Sequence, residues 1–259
     1  MSDTLTCRAC GGIAKFQQAG ALIGRAISYF ECDACGYYQT ENPYWLSEAY
    51  ASAINDSDTG IMMRNQTNSR IVLGAMWLTK SLDSVVVDYA GGYGILVRML
   101  RDFGVNAKWA DQFCQNLVAK GFEFKGEKAA LVTAFEAFEH FENPAEELDN
   151  LLKIAPNVLL STELIATPAP KQSDWWYYGS EHGQHIGFFR KATLEKLALD
   201  RGLFLITNGS NLHLLTHKPM NTWLWRLMIK FNRLIPFFLQ GRIKSRTLED
   251  HKLIADHSI

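Results

Sequence analysis

Between Val85 and Thr216, short apolar runs rich in β-branched residues alternate with stretches of helical spacing, and this alternation leaves few folds open. Val85-Val86-Val87 precedes a helical stretch, Ile95–Phe103, that Gly104 closes. A strand at 107–111, a helix at 116–120, a short strand at 122–124 and a buried strand at 129–134 are expected next. A helix begun at Pro144 and a strand at 158–162 follow. Strands separated by helices of about 10–15 residues join by right-handed crossovers into a parallel sheet. The end of the pattern differs. After a helix at 194–200 closed by Gly202, the strands 204–207 and 212–216 are separated only by Asn208-Gly209-Ser210-Asn211. So short a loop joins antiparallel neighbours. The expectation is a doubly wound, mostly parallel α/β sheet with a terminal antiparallel hairpin.

Upstream the pattern is different. Four of the five cysteines form two pairs, Cys7-Arg-Ala-Cys10 and Cys32-Asp-Ala-Cys35, each followed by glycine. A CxxC turn presents two thiolates to one tetrahedral ion, and two such turns fill its coordination sphere. The reading is a small zinc ribbon whose ion, lacking an open position, is structural; two disulfides or buried thiols are the alternatives. Ile27–Glu31 is expected to be a strand delivering the second pair. Cys114 stands alone and reads as a core residue. Residues 40–80 show helices at 44–50 and from Ile61 to Lys80, with a turn at Asn55–Asp58 between them.

A chain of 259 residues accommodates one α/β domain and a small appendage. The division expected is 1–40 for the zinc knuckle, 41–80 for a helical cap or linker, 81–218 for the main domain and 219–259 for a helical tail. The formal net charge of −1 supplies no positive field for nucleic acid. The polar opening MSDTLTCRAC has no apolar core of a signal peptide, and no stretch is apolar enough to span a membrane, so a cytoplasmic location is expected. Residues 223–239 read as one helix with a wide aromatic face and a basic stripe of Arg226, Lys230 and Arg233. A solvated stripe on a core helix, a homodimer contact and a membrane-surface helix all fit that pattern, the last placing the chain at the membrane periphery.

The segment Val87-Asp88-Tyr89-Ala90-Gly91-Gly92-Tyr93-Gly94 follows the first strand and opens a helix, where open α/β sheets bind ligands. A dinucleotide fingerprint needs a third small residue, and Val97 occupies that position. The loop instead resembles motif I of class I S-adenosylmethionine (SAM) methyltransferases, with Ala90 where the first glycine usually stands. Phe135-Glu136-Ala137-Phe138-Glu139-His140-Phe141-Glu142-Asn143-Pro144 is similar to the EHxxNP segment of a broad superfamily of such enzymes, including ubiquinone-biosynthesis and antibiotic-sugar members. The resemblance runs from about Val85 to Thr216 and implies a seven-stranded sheet. It implies that Asp88, Ala90, Gly92 and Gly94 line the methionine side of SAM and that Asp111, with Gln112, holds the ribose. It puts Phe135-Glu136 beside the sulfonium. Arg64, in the segment at the start of the helix that leads into the first strand, is the candidate partner of the SAM carboxylate. Glu136-x-x-Glu139-His140 also matches a segment that can hold a divalent ion in the ubiquinone O-methyltransferases; the alternative is that Glu139 and His140 only cap and orient this loop.

Asp174-Trp175-Trp176-Tyr177-Tyr178 through His182, His185 and Phe189 form a long insertion after the strand at 158–162. Methyl transfer is an in-line displacement that needs alignment and a dry site, and a hydroxyl acceptor also needs a base. The Gly183-Gln184-His185 stretch resembles the acceptor loop of enzymes that methylate sugars and related small molecules. His185, helped by His182, is therefore the expected base, and a sugar or nucleotide-linked sugar the expected acceptor. Two other readings stand beside it. One is an RNA methyltransferase with a zinc module, which needs a basic zinc lobe. The other is a scaffold that binds SAM without catalysing.

Overall fold

The computed structural model describes residues 3–50 and 59–256; the turn expected at Asn55–Asp58 lies outside them. In chain order the elements are β1 (Thr4–Thr6), β2 (Ile13–Leu22), β3 (Arg25–Cys32), β4 (Tyr38–Thr40), α1 (Leu46–Ala49) and α2 (Ile61–Leu78). Then come β5 (Val85–Tyr89), α3 (Ile95–Asp102), β6 (Asn106–Ala110), β7 (Ala129–Ala134), α4 (Pro144–Ile154) and β8 (Val158–Ser161). β9 (Gly187–Phe188), α5 (Lys191–Leu199), β10 (Phe204–Thr207), β11 (Leu212–Thr216), α6 (Thr222–Lys230), α7 (Ile235–Leu239) and α8 (Thr247–Asp256) complete the chain. One sheet is antiparallel, in the order β1-β2-β3-β4-β9, and the other, mainly parallel, has six strands in the order β10-β11-β8-β7-β5-β6. The chain divides into two compact units, residues 1–55, 135–150 and 160–219 in one and 56–134, 151–159 and 220–259 in the other.

In the first unit, β2 and β3 form a hairpin closed by Ile23-Gly24, both at positive φ. That geometry matches the right-handed twist of the strands; glycine adopts it freely and isoleucine under strain. The last strand of this sheet, β9, comes from the long aromatic insertion: Tyr38 pairs with Phe188 and Gln39 with Gly187. Tyr29, Tyr38, Trp45, Tyr177, Tyr178 and Phe188 pack into one buried cluster. β10 and β11 pair antiparallel in the register Phe204 to Thr216, as their short loop requires.

In the second unit, β5 lies between β6 and β7, parallel to both. Val86, Val87, Leu131 and Val132 are wholly buried, as are Val97 and Leu100 of α3. Gly74 lets α2 meet the tail closely, since a Cβ there would lie 2.3 Å from Met228 Sδ. Asp250 of α8 is buried and takes Arg101 in a bidentate pair at 2.6 and 2.7 Å, with Arg98 at 2.7 Å. The Arg101 guanidinium also lies 3.6 Å from the centre of the Phe122 ring. Satisfied in this way, a buried charge fixes where α8 docks.

Several expectations are corrected. The mainly parallel sheet has six strands among the described residues, not seven. Residues 116–120 form no helix, because Asn116 turns its side chain on the local backbone, Oδ1 accepting from Ala119 N at 2.9 Å. Residues 122–124 make only an isolated bridge from Glu123 to Trp109. The tail is not one helix. It breaks at Phe231 into a 3₁₀ turn at Asn232–Leu234, and Pro236 sits in the first turn of α7, where its missing N–H costs nothing. α8 falls within residues 219–259, read from the sequence as a helical tail. Cys114 is half-buried rather than a core residue. No described helix is long and apolar enough to cross a membrane.

Candidate active site

The glycine loop belongs to the second unit, at the carboxyl end of β5. Asp88 is its last buried residue and accepts from Thr133 Oγ1 at 2.6 Å, and burial pushes its carboxyl up to about 7. Ala90 adopts φ +59°, the left-handed conformation that suits glycine, so the departure from the motif leaves local strain. Gly94 begins α3 at φ +87°, and a Cβ there would lie 2.7 Å from Asn116 Oδ1 and 2.9 Å from Ala119 Cβ. Asp111 closes the loop from the next strand. Its Oδ2 accepts from Gly92 N at 2.8 Å, and its Oδ1 from Phe113 N at 2.7 Å and Cys114 N at 2.8 Å. A carboxylate has about four acceptor positions, so one remains for an incoming hydroxyl. Gln112 is exposed beside it, and Arg64 is half-buried in the first turn of α2.

The second group of residues belongs to the first unit. After β7, Glu136 sits at φ +50°, and Ser161 clamps it there: Ser161 Oγ accepts from Glu136 N at 2.8 Å and donates to Glu136 Oε1 at 2.5 Å. Phe135 is half-buried and Glu136 exposed. Glu139 is wholly buried; its Oε1 accepts from the Tyr177 hydroxyl at 2.6 Å, while its Oε2 has no partner among the described residues. Burial, reinforced by the Glu136 charge, pushes the Glu139 carboxyl up to about 8.

The expected histidines come together around it. His185 is buried with its Nδ1 2.6 Å from the Tyr177 carbonyl oxygen, so Nδ1 carries the proton and Nε2 the lone pair. Burial lowers His185 to about 4, against an opposing pull from that carbonyl. His182 packs edge-on to His185 with ring centres 4.8 Å apart, and its Nδ1 accepts from Gln184 N at 3.1 Å. His140 meets the other side of His185 at 4.9 Å, its Nδ1 3.0 Å from the Tyr50 hydroxyl. One ligand atom from each of Glu139, His140 and His185 lies within 4.8 Å of the others, a set able to hold a divalent ion. Glu136 stands outside that set. Sequence reasoning missed Tyr177, Ser161, Thr133 and Tyr50. Only Tyr177 carried a signal, as part of the Trp-Trp-Tyr-Tyr run.

The four N-terminal cysteines also converge. Cys7 and Cys35 Sγ are 3.7 Å apart and Cys10 and Cys32 Sγ 3.5 Å, far beyond a bonded S–S length of about 2 Å. A tetrahedral zinc with ~2.3 Å bonds places its sulfurs ~3.8 Å apart, so the four thiols fit such an ion.

Residues 64–208, more than half of the chain, match the model of a family described as a methyltransferase domain. The chain belongs to this methyltransferase family. No curated protein sequence matches it. Among solved structures, this methyltransferase is similar to TnmH at 15% identity and TM-score 0.47, covering 67% of this chain and 61% of that one. Magnesium protoporphyrin IX methyltransferase from Synechocystis, with SAM bound, is 16% identical with TM-score 0.41, over 66% of this chain and 87% of that one. Human N-acetylserotonin methyltransferase, also with SAM, is 17% identical with TM-score 0.40, over 59% of this chain and 52% of that one. The chain thus spans less than two thirds of the length of TnmH.

Proposed function

We propose that this enzyme transfers a methyl group from SAM to a hydroxyl of a small molecule, a sugar or nucleotide-linked sugar, with His185 as the residue that takes the acceptor's proton. The observation that carries the reading is the bond from His185 Nδ1 to the Tyr177 carbonyl, which fixes one tautomer and keeps Nε2 able to accept. Burial keeps the imidazole neutral near pH 7, and the same carbonyl stabilises the imidazolium as it forms. Gly92, Gly94 and Asp111 would hold the donor, their backbone turned to allow close approach. SAM supplies the electrophilic methyl; the chain's own groups align, exclude water and move the proton.

The state of the zinc lobe supports a small acceptor over RNA. Of the cations before residue 40, Arg8 donates to the Ile186 carbonyl at 2.6 Å, Lys15 pairs with Asp33 at 2.7 Å and Arg25 with Glu48 at 2.5 Å. No free basic stripe remains there among the described residues for phosphates. Zinc bound by Cys7, Cys10, Cys32 and Cys35 would have a structural role.

A second reading of the acceptor group is favoured by the unpartnered, buried Glu139 Oε2. With His140 and His185 it would hold a divalent ion, which supplies Lewis-acid polarisation of an acceptor oxygen. A screen with methyl-labelled SAM against nucleotide sugars, quinol precursors and tRNA, run with and without chelator, tests both. Label in tRNA alone would overturn the small-molecule reading, and chelator-resistant turnover would overturn the metal.

A further inference from the structure

The tail of the second unit presents a surface that methyl transfer does not use. From Met220 to Leu248 the chain has six cationic residues and no Asp or Glu, although the whole chain carries a formal charge of −1. Arg246 is engaged by Glu249. Arg226, Lys230, Arg233, Arg242 and Lys244 have no ion-pair partner among the described residues. Beside them the apolar side chains point outward: Trp223 is 68% exposed, Phe237 66% and Phe238 73%.

Packing explains why that face is presented. α6 uses one side to bury Trp225 and to set Met228 against Gly74 of α2. Helical spacing then turns Arg226 and Lys230 to one flank of the outward side and Leu224 and Phe231 to the other, with Trp223 between them. The turn at Asn232–Leu234 and the short α7 continue the same surface with Leu234, Phe237 and Phe238. A groove of about 680 Å³ extends it, with Trp77, Leu78, Leu82 and Leu224 as its apolar wall and Lys80, Arg242 and Asp83 as its polar groups.

We propose that residues 222–244 dock this methyltransferase on an anionic lipid bilayer, the aromatics entering the headgroup boundary and the cations meeting lipid phosphates. Two requirements select that partner. Trp, Phe and Leu on one side of a helix flanked by Lys and Arg satisfy an interface that is apolar below and negative above. A second copy of the chain fits less well, because a two-fold interface sets the same patch against itself and five cations without an ion-pair partner among the described residues would face one another.

Co-sedimentation of the full chain with phosphatidylcholine vesicles, and with vesicles in which about a third of the lipid is phosphatidylglycerol, tests this. Binding is expected to the anionic vesicles and to weaken as salt rises. The Arg226→Gln/Lys230→Gln/Arg233→Gln variant should bind about 10- to 100-fold more weakly, at about a tenfold loss or less per charge near the surface. Trp223→Ser/Phe237→Ser/Phe238→Ser should lose binding with its charges intact. All the substituted residues are solvent-facing, and unchanged circular dichroism confirms that each variant folds. Absence of binding to either vesicle, or equal binding by the charge variant, overturns the proposal. So does a dimer in sedimentation equilibrium that the aromatic variant dissociates without any vesicle binding by the parent chain.

Discussion

Tyr177 holds His185 and Glu139 from opposite ends: its carbonyl oxygen lies 2.6 Å from His185 Nδ1, and its hydroxyl donates to Glu139 Oε1 at 2.6 Å. One residue thereby sets the tautomer of the proposed base and occupies half of a buried carboxyl group. Because the His185 bond uses the backbone, a side-chain change at Tyr177 separates the two effects.

His185→Ala should lower kcat by about 10²–10⁴-fold with a verified acceptor, the usual contribution of a general base, and leave SAM affinity unchanged. Tyr177→Phe keeps the carbonyl and removes the hydroxyl, so it should cost less in kcat while leaving Glu139 Oε1 without its donor. Near-normal turnover of His185→Ala would make the histidine structural. Loss of SAM binding, measured by calorimetry, would move it to the donor side.

How far the sequence could be read depends on the range of the interactions involved. β5, β7, β10 and β11 follow from runs of apolar residues whose spacing is local, and the hairpin follows from a four-residue loop. The Asn116 segment was misread because a side-chain-to-backbone bond, invisible to periodicity, replaced a helix. The acceptor cluster was legible only as residue types. Glu139 and Tyr177 are 38 positions apart, and nothing local shows that Tyr177 turns inward while Trp176 beside it stays 78% exposed. The four cysteines were legible because a CxxC turn is itself local geometry, and two such turns call for each other.

Metal analysis of the purified chain under reducing conditions should find one zinc bound by the four cysteines. Cys32→Ser should lower that stoichiometry and expose the β1–β4 region to protease, since metal binding and folding are coupled in small modules. A zinc-free chain with intact thiols would overturn the assignment.

Ala90 and Gly94 offer opposite tests of the glycine loop. Ala90→Gly relieves a left-handed alanine and should raise stability by about 1 kcal/mol, or about 2–4 °C in Tm. Gly94→Ala adds a Cβ to a crowded, positive-φ site and should lower Tm and SAM affinity together. Asp111→Ala should weaken SAM by about 1–3 kcal/mol and also destabilise the loop, because the N–H groups of Gly92, Phe113 and Cys114 lose their acceptor. Calorimetry and thermal melts on the three variants separate these outcomes.

His213 contributes a pH dependence to stability. It is wholly buried, its Nδ1 2.8 Å from Thr207 Oγ1 and its Nε2 3.1 Å from the Thr162 carbonyl oxygen. Burial lowers it from 6.5 to about 4 in the folded chain, with the Thr162 carbonyl opposing. Above pH 6.5 both folded and unfolded chains hold it neutral, and it adds no pH dependence. As pH falls from 6.5 towards 4 the unfolded chain binds a proton that the folded chain refuses. Stability therefore falls with acidification, by up to about 3 kcal/mol from this residue, and levels off below pH 4. His213→Gln should cost stability at pH 7, where it disturbs two buried hydrogen bonds, yet bind about one proton fewer on unfolding between pH 4 and 6.5. Urea melts at several pH values read that difference as a slope, and identical slopes for the two chains would show that His213 is already charged when folded.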